Sequence, residues 1–365
     1  MRRLLLSALL AGVAAVPASA QQWLGGCQVL PTGNYWNTPV DTLPVAGNSA
    51  AVVSHINTHC SGTGCTPRTT LHPDFGSGTW QGAPIGIPAV VVPAGQALVP
   101  VDFALYGWPD ESDPGPYPIP ASAPIEGGPQ SDGDRHVLVL RQGECRLYEL
   151  YYSWPDGTGP SGEPTCDSPG GWCGASGAVY ILGSNALRPA GWTSADAAGL
   201  PILPGLARYG EVAGGEIRHA LRFTVSVSLD YVDPAHPGYV WPARHEAGST
   251  TNLSAPPMGL RFRLKASYDV SGFAPQTQVI LRALKKYGMI VADNGTNWFI
   301  SGLPSTIPGW DDDQLAELNS VPGNQFEVVD VASIYGGDPD SGATTHLFSD
   351  GFDGGTTGYW SAVAP

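Results

Sequence analysis

The strongest constraint on the fold is a period of two that runs through the stretch from Gly214 to Lys265. From His219 onward, His219, Leu221, Phe223, Val225 and Val227 fall on one side of an extended chain, and Ala220, Arg222, Thr224 and Ser226 on the other. That alternation predicts a strand. It is repeated from Tyr239, with Tyr239, Trp241, Ala243 and His245 on one face and Val240, Pro242 and Arg244 on the other. Leu260, Phe262 and Leu264 then alternate with Arg261, Arg263 and Lys265. The first two expected strands each carry an imidazole in line with an apolar or aromatic row. This predicts histidines at the floor or rim of a cleft; the plainer reading of each is a hydrogen-bonded core histidine.

Helical periodicity is scarce by comparison. Between Gln276 and Tyr287 the apolar positions Val279, Ile280, Ala283, Leu284 and Tyr287 follow helical spacing, Lys285 and Lys286 occupy the last turn, and Gly288 ends it. Shorter helices are expected at Asn48–Val53, Thr193–Gly199 and Asp311–Leu318. Elsewhere, 48 Gly and 35 Pro punctuate short β-branched runs. One hairpin is clear. Arg135 to Leu140 leads into Cys145 to Tyr152, with His136 in phase with Leu138 and Leu140, and with Leu147, Glu149 and Tyr151 sharing a face. The Pro-rich stretch from Trp108 to Pro124 is expected to run extended, packed by Tyr117 and Trp108. The fold expected is all-β: an antiparallel β-sandwich or jelly-roll with long Pro/Gly loops and one packed α-helix.

The chain opens with Arg2 and Arg3, an apolar run and Ala18-Ser19-Ala20, the pattern of a cleaved secretory leader. Residues 1–20 are therefore read as a signal peptide, 21–335 as one β-rich domain, and 336–365 as a flexible spacer and tail. A secreted protein, extracellular or periplasmic and not membrane-spanning, is expected. Without Arg2 and Arg3 the count is 15 basic against 32 acidic residues, a net charge of about −17 that argues against nucleic acid as partner. Six cysteines in an exported chain read as three disulfides. Proximity pairs Cys60 with Cys65 and Cys166 with Cys173, which leaves Cys27 with Cys145.

Three chemistries fit these residues. The first is acid/base work on a polysaccharide, by hydrolysis with a pair of carboxylates or by elimination on a uronic acid with a base beside an arginine. Glu149, mid-strand among apolar neighbours, is the leading carboxylate, with Glu126, Asp134 and Glu216 behind it; Asp134 and Glu126 also read as solvated turn residues among glycines. His136, His219, His245 and Arg244 complete the expected catalytic set, and Trp241, Tyr239, Arg222, Arg261 and Arg263 the expected substrate contacts. The arginine row alternatively reads as the outer face of a sheet with paired charges. The second chemistry is metal-dependent oxidation, with His136, His219 and His245 as ligands; no cofactor is otherwise expected, and a divalent metal is the exception. The third is glycan binding without catalysis, with the histidines structural. No Gly-x-Ser-x-Gly elbow, Walker loop or dinucleotide fingerprint occurs.

Blocks such as DESDPGPYPIP, SDGDRHVLVL, EIRHALRFTV, YVWPARH and LRALKKYGMIVADNG resemble a family of secreted bacterial proteins, abundant in soil organisms, generally labelled uncharacterised and sometimes joined to cellulose-binding modules. The likeness runs from about Cys27 to Asp330 and implies an exported, carbohydrate-associated role; it transfers no catalytic residues. The tail, LFSDGFDGGTTGYWSAV, resembles a short Phe-x-Asp-Gly-Phe-Glu-Ser-Gly element found near the C-termini of exported proteins of Gram-negative bacteria, with Asp353 and Gly354 in place of Glu and Ser. That likeness implies envelope handling or a vestigial module start, and not catalysis.

Overall fold

The computed structural model describes residues 22–80, 82–104, 107–159, 166–305 and 309–345. The expected leader and the tail element lie outside them. Among the described residues the fold is mainly β, and its principal elements in chain order are α1 (Ser49–Thr58), β1 (His72–Asp74), β2 (Ala89–Val92), β3 (Val137–Arg141), β4 (Arg146–Tyr151), β5 (Ser176–Ile181), β6 (Leu221–Val225), β7 (Arg261–Leu264), α2 (Pro275–Lys286), β8 (Met289–Asn294), β9 (Phe299–Ser301), α3 (Asp312–Ala316) and β10 (Phe326–Val328).

These strands form a four-stranded sheet in the order β5-β4-β3-β2 and a six-stranded sheet in the order β10-β7-β8-β6-β9-β1. Both sheets are mixed, which corrects the antiparallel expectation. β6 runs parallel to β8, β9 to β1 and β2 to β3. Alternation within a strand reports which faces are covered, but carries no information on the direction of its neighbour. The expected 135–152 hairpin is present, with Leu138 opposite Glu149.

Both faces of each sheet are covered. On the six-stranded sheet, Phe223 and Phe326 stack on the adjoining Trp298, with centroids 5.9 and 5.4 Å away, and Phe262 packs edge-on against Phe223 and Trp298. Val52, Val53 and Ile56 of α1, and Ile280 and Leu284 of α2, belong to the same core, so two helices pack here where one was expected. Each such buried side chain contributes about 1.5–3 kcal/mol. Leu138, Leu140 and Leu147 of the four-stranded sheet join this core, while Val137, Val139, Tyr148 and Leu150 on its other face pack with Phe103, Tyr117 and Trp172. The Pro-rich stretch is anchored by Tyr117, fully buried with its hydroxyl donating to Asp113 O at 2.7 Å.

The arginine row is not a solvent face. Arg222, Arg261 and Arg263 are all buried. Arg261 donates to Tyr35 O at 2.9 Å and Thr38 O at 3.1 Å, and Arg263 to Val40 O at 2.6 Å and Leu43 O at 2.7 Å. An irregular N-terminal segment lies over this face, and its carbonyls have no ladder to join; a guanidinium with five donors satisfies them.

Three further expectations are corrected. Tyr239–His245 is not a strand: Ala243 N closes a turn onto Val240 O and Arg244 N donates to Ala198 O, while Pro242 has no N–H to offer a ladder. Thr193–Gly199 is not a helix, because Ser194 Oγ accepts from Asp196 N at 2.9 Å and has the carbonyls of Asp196 at 2.6 Å and Leu200 at 2.7 Å within reach of its single O–H, local bonds that compete with helical ones. Residues 336–345 are stitched into the fold rather than free: Gly342 N donates to Asn185 O at 2.7 Å, and Ala343 bridges Asn34. The three disulfides pair as proximity indicated, and Cys27–Cys145 ties the N-terminal segment to the β3–β4 turn.

Candidate active site

An open cavity of about 700 Å³ lies where β1, the segment entering β3, and α3 meet. Asp74, Glu126, Asp132 and Asp134 line it, with Trp80 and Phe299 on its walls. Asp134 also lines a second cavity of about 270 Å³, together with Trp108, Tyr151, His245 and Asp293. The sequence brings these side chains together from strand ends. Asp74 is the last residue of β1, Tyr151 the last of β4, and Asp293 the penultimate residue of β8. Glu126 and Asp134 arrive on the turn that precedes β3. Gly127 allows that turn: its φ is +69°, and a Cβ there would lie 2.3 Å from Ser131 Oγ.

Two networks support the acids. In the first, His136 Nδ1 lies 2.6 Å from Glu126 Oε2 and His136 Nε2 lies 3.0 Å from Ala195 O. A ring nitrogen facing a carbonyl must carry its proton, and so must one facing a carboxylate, so the ring is an imidazolium. Burial alone would lower the imidazole's pKa, but the Glu126 carboxylate and its hydrogen bond raise it to about 10. Reciprocally, burial pushes Glu126 up, yet the His136 charge more than offsets this and holds the carboxyl below its ordinary range.

In the second network, Arg222 forms a two-point ion pair with the fully buried Asp196, donating from Nε at 2.8 Å and from Nη2, and donates from Nη1 to Ser301 Oγ at 2.5 Å. Asp293 Oδ2 is 3.8 Å from Arg222 Nη2. Burial, followed by the Asp196 charge, pushes the Asp293 carboxyl well above the ordinary range. Asp74 is also raised, by burial and then by the neighbouring charge of Glu126. Tyr151 is pushed up to about 12 by burial and then by Asp134 and Asp293, and stays a neutral phenol. The cleft thus holds carboxyls driven in opposite directions.

The residues singled out from the sequence are dispersed around this cleft. His136 is 1% exposed and acts behind Glu126 rather than on a ligand. Glu149 is fully buried and accepts from the backbone N–H groups of Ile202 at 2.9 Å and Leu203 at 2.9 Å, capping a short helical turn; burial raises its pKa to about 7. His219 is sealed in a separate cluster, with Nε2 3.0 Å from Arg208 Nη2 and 3.1 Å from Glu211 Oε2, and Nδ1 2.8 Å from Ala220 O. His245 is the one expected histidine on a cavity wall, with Nδ1 3.0 Å from Ala197 O. The four therefore do not converge on one open pocket. Arg244 donates to Arg188 O and Pro339 O and pairs with Asp340. Trp241 donates to Ser341 O at 2.9 Å, packs edge-on against Tyr335 and is half-buried, as is Tyr239. Both hold structure.

The three-histidine metal arrangement is corrected by the same geometry, since the ring nitrogens of His136 and His219 are all engaged by protein groups. Among the described residues, the donors close enough to share an ion are Asp156, Cys166 and Cys173, and the two cysteines are a disulfide. Asp74, Asp196 and Asp293 escape a reading of the sequence. Asp293 stands in Asp-Asn-Gly, the signature of a turn, and nothing local announces that Arg222 lies against it.

No helix among the described residues is long and apolar enough to cross a membrane. No protein-family model, no curated protein and no solved structure matches the chain.

Proposed function

We propose that the chain is an exported glycan hydrolase working by carboxylate acid/base catalysis in the acidic cleft. The observation that carries this reading is the pair Asp74 and Glu126, two acids lining one cavity whose carboxyl pKa values are driven in opposite directions, Asp74 upward by burial and Glu126 downward by the His136 charge. Glycosidic cleavage needs a carboxyl that donates a proton to the leaving oxygen and a carboxylate that activates water or attacks carbon. Asp74 takes the first role and Glu126 the second, with His136 positioning and holding Glu126. Asp293, whose carboxyl is driven upward by burial and the Asp196 charge, offers a second candidate acid in the adjoining cavity. Exposed Trp80 and Trp108 offer faces on which sugar rings stack.

Hydrolysis is favoured over elimination by where the arginines are. Arg222, Arg244, Arg261 and Arg263 are engaged by protein acceptors, no lysine or arginine is among the lining residues of either cavity, and Arg68, which lies over the Phe299 ring, donates to Thr70 O and Asn319 Oδ1. Export is supported by the leader-like N-terminus and three disulfides. In this reading the two sheets are the layers of a β-sandwich around the shared core, and the resemblance to carbohydrate-associated secreted proteins points the same way.

The test is reducing-sugar release from a panel of plant and microbial polysaccharides by the wild type, Asp74→Asn and Glu126→Gln. Release abolished by either substitution in folded protein supports the reading. Release that persists in both removes these residues from the chemistry, and binding of a glycan without release moves the protein to the binding class.

A further inference from the structure

His72 and Asp74 stand two residues apart on one face of β1, both on the wall of the larger cavity, with Phe299 of the neighbouring strand β9 beside them. His72 is half-buried. Its ring packs on Phe299 with centroids 4.2 Å apart, and its Nδ1 lies 2.7 Å from Asn319 Oδ1. The Asn319 amide faces the ring in one sense only, because its Nδ2 donates to Ala316 O at 2.9 Å and its Oδ1 also accepts from Arg68. An amide oxygen can only accept, so His72 Nδ1 carries a proton. A second proton on the ring is opposed by burial and by the Arg68 guanidinium at the same oxygen, which together outweigh the Asn319 hydrogen bond and lower the pKa. His72 is therefore a neutral imidazole of fixed tautomer, with its lone pair on Nε2. Among the described residues Nε2 has no hydrogen-bond partner.

A half-buried acceptor on a cavity wall takes its donor from whatever occupies the cavity. A sugar offers hydroxyls for that purpose, and its ring offers an apolar face to Phe299. Asp74 lies about 7 Å further along the strand, within the reach of a single sugar unit held at His72. Resting on the hydrolytic reading above, we infer that His72 is a specificity-determining residue of the cleft, whose Nε2 accepts a hydrogen bond from a hydroxyl of the sugar unit next to the bond that Asp74 protonates. Arg68 and Asn319 are positioning residues behind it: they hold the proton on Nδ1 and leave Nε2 to accept. A unit that presents only acceptors at this point, such as an O-methyl ether or a carboxylate, is disfavoured because lone pairs would face each other.

The experiment starts with the wild type, so it does not depend on a variant folding. Heteronuclear NMR of histidine-labelled protein near neutral pH reads the proton on each ring nitrogen. His72 is expected to carry one on Nδ1 alone, and its Nε2 resonance to move on titration with cellohexaose, xylohexaose or N-acetylchitohexaose. Reducing-sugar release from the parent polymers then separates binding from chemistry. His72→Phe, which keeps a ring against Phe299 and loses the lone pair, is expected to raise KM by about two- to ten-fold, the worth of one hydrogen bond, with kcat little changed. His72→Gln, whose amide oxygen accepts in place of Nε2, is expected to recover part of that loss. Asn319→Asp sets a carboxylate on Nδ1 and should bring a second proton onto the ring, with a similar rise in KM. A wild-type ring protonated on Nε2 overturns the inference, as does a KM that His72→Phe leaves unchanged. An Nε2 resonance that none of the hexamers moves also overturns it, even where a polymer is cleaved and the hydrolytic reading stands. An Nε2 resonance that a hexamer moves, with no polymer cleaved, keeps His72 as the sugar contact and overturns hydrolysis.

Discussion

His136 Nδ1 and Glu126 Oε2 are 2.6 Å apart, and this contact divides two roles that one acid cannot fill alone. Glu126 faces the cleft while its charge is anchored from behind by a ring that solvent does not reach. The pair's effect on Glu126 should be visible as pH dependence. Activity is expected to fall at low pH as Glu126 takes up a proton below its ordinary range, and at higher pH as Asp74 loses one above its ordinary range. In His136→Gln the acid limb of the kcat/KM profile should move to higher pH while the alkaline limb stays. An unmoved acid limb would show that His136 does not set the charge on Glu126.

The same pair makes a stability prediction with the opposite sign. His136 has a folded pKa of about 10 against an ordinary 6.5, so its stabilising contribution is complete below 6.5 and is lost as pH rises through about 10. Wild-type Tm should therefore drop between pH 7 and 10. His136→Gln should begin lower and lose less over that range. Parallel curves for the two proteins would contradict the ion pair.

Removal of the catalytic acids should separate chemistry from folding. Asp74→Asn and Glu126→Gln are expected to lower kcat by about 10²–10⁴-fold, the range for a positioned general acid or base. The folded protein disfavours the charge on Asp74, so its neutral substitute should leave the denaturant midpoint where it was or raise it slightly. A folded Asp74→Asn protein of wild-type activity would reassign the proton donor, with Asp293 next in line.

Glu149 should behave in the reverse manner. Glu149→Ala strands two buried N–H groups, at about 1–3 kcal/mol each, and so should cost about 2–6 kcal/mol in urea unfolding. Because burial raises its folded pKa to about 7 from 4.5, the wild-type contribution of this carboxyl is greatest below 4.5 and falls as pH rises through 7. The kcat of protein that remains folded should be unchanged.

The disulfides should differ in what they contribute. Cys27–Cys145 closes a separation of 118 residues and Cys60–Cys65 one of 5, so chain entropy assigns about 5 kcal/mol to the first and about 2 kcal/mol to the second. Paired alanine substitutions, compared by urea unfolding, should rank in that order.

The sequence by itself determined the local features of this protein. Alternation located β6, β7 and the β3–β4 hairpin, helical spacing located α2, and cysteine proximity paired all three disulfides, because each of these signals is written within a few turns or strand lengths of chain. Alternation also put Glu149, His136 and His219 in line with apolar rows, where they are buried, but it left Arg222 as a substrate contact or an outer-face charge, and Arg222 is buried too. What each one touches was decided by tertiary structure. Glu149 met two backbone N–H groups 53 and 54 residues away, Arg222 met Asp196 and Ser301, and Arg261 met carbonyls more than 220 residues upstream. The cleft is nonlocal in the same way, since Asp74, Glu126, Asp134 and Asp293 come from four separate segments, each of which reads alone as a solvated turn or strand end. A carboxyl's burial and neighbouring charges set its proton affinity, and both are properties of the packed sheets rather than of the residues beside it in the chain.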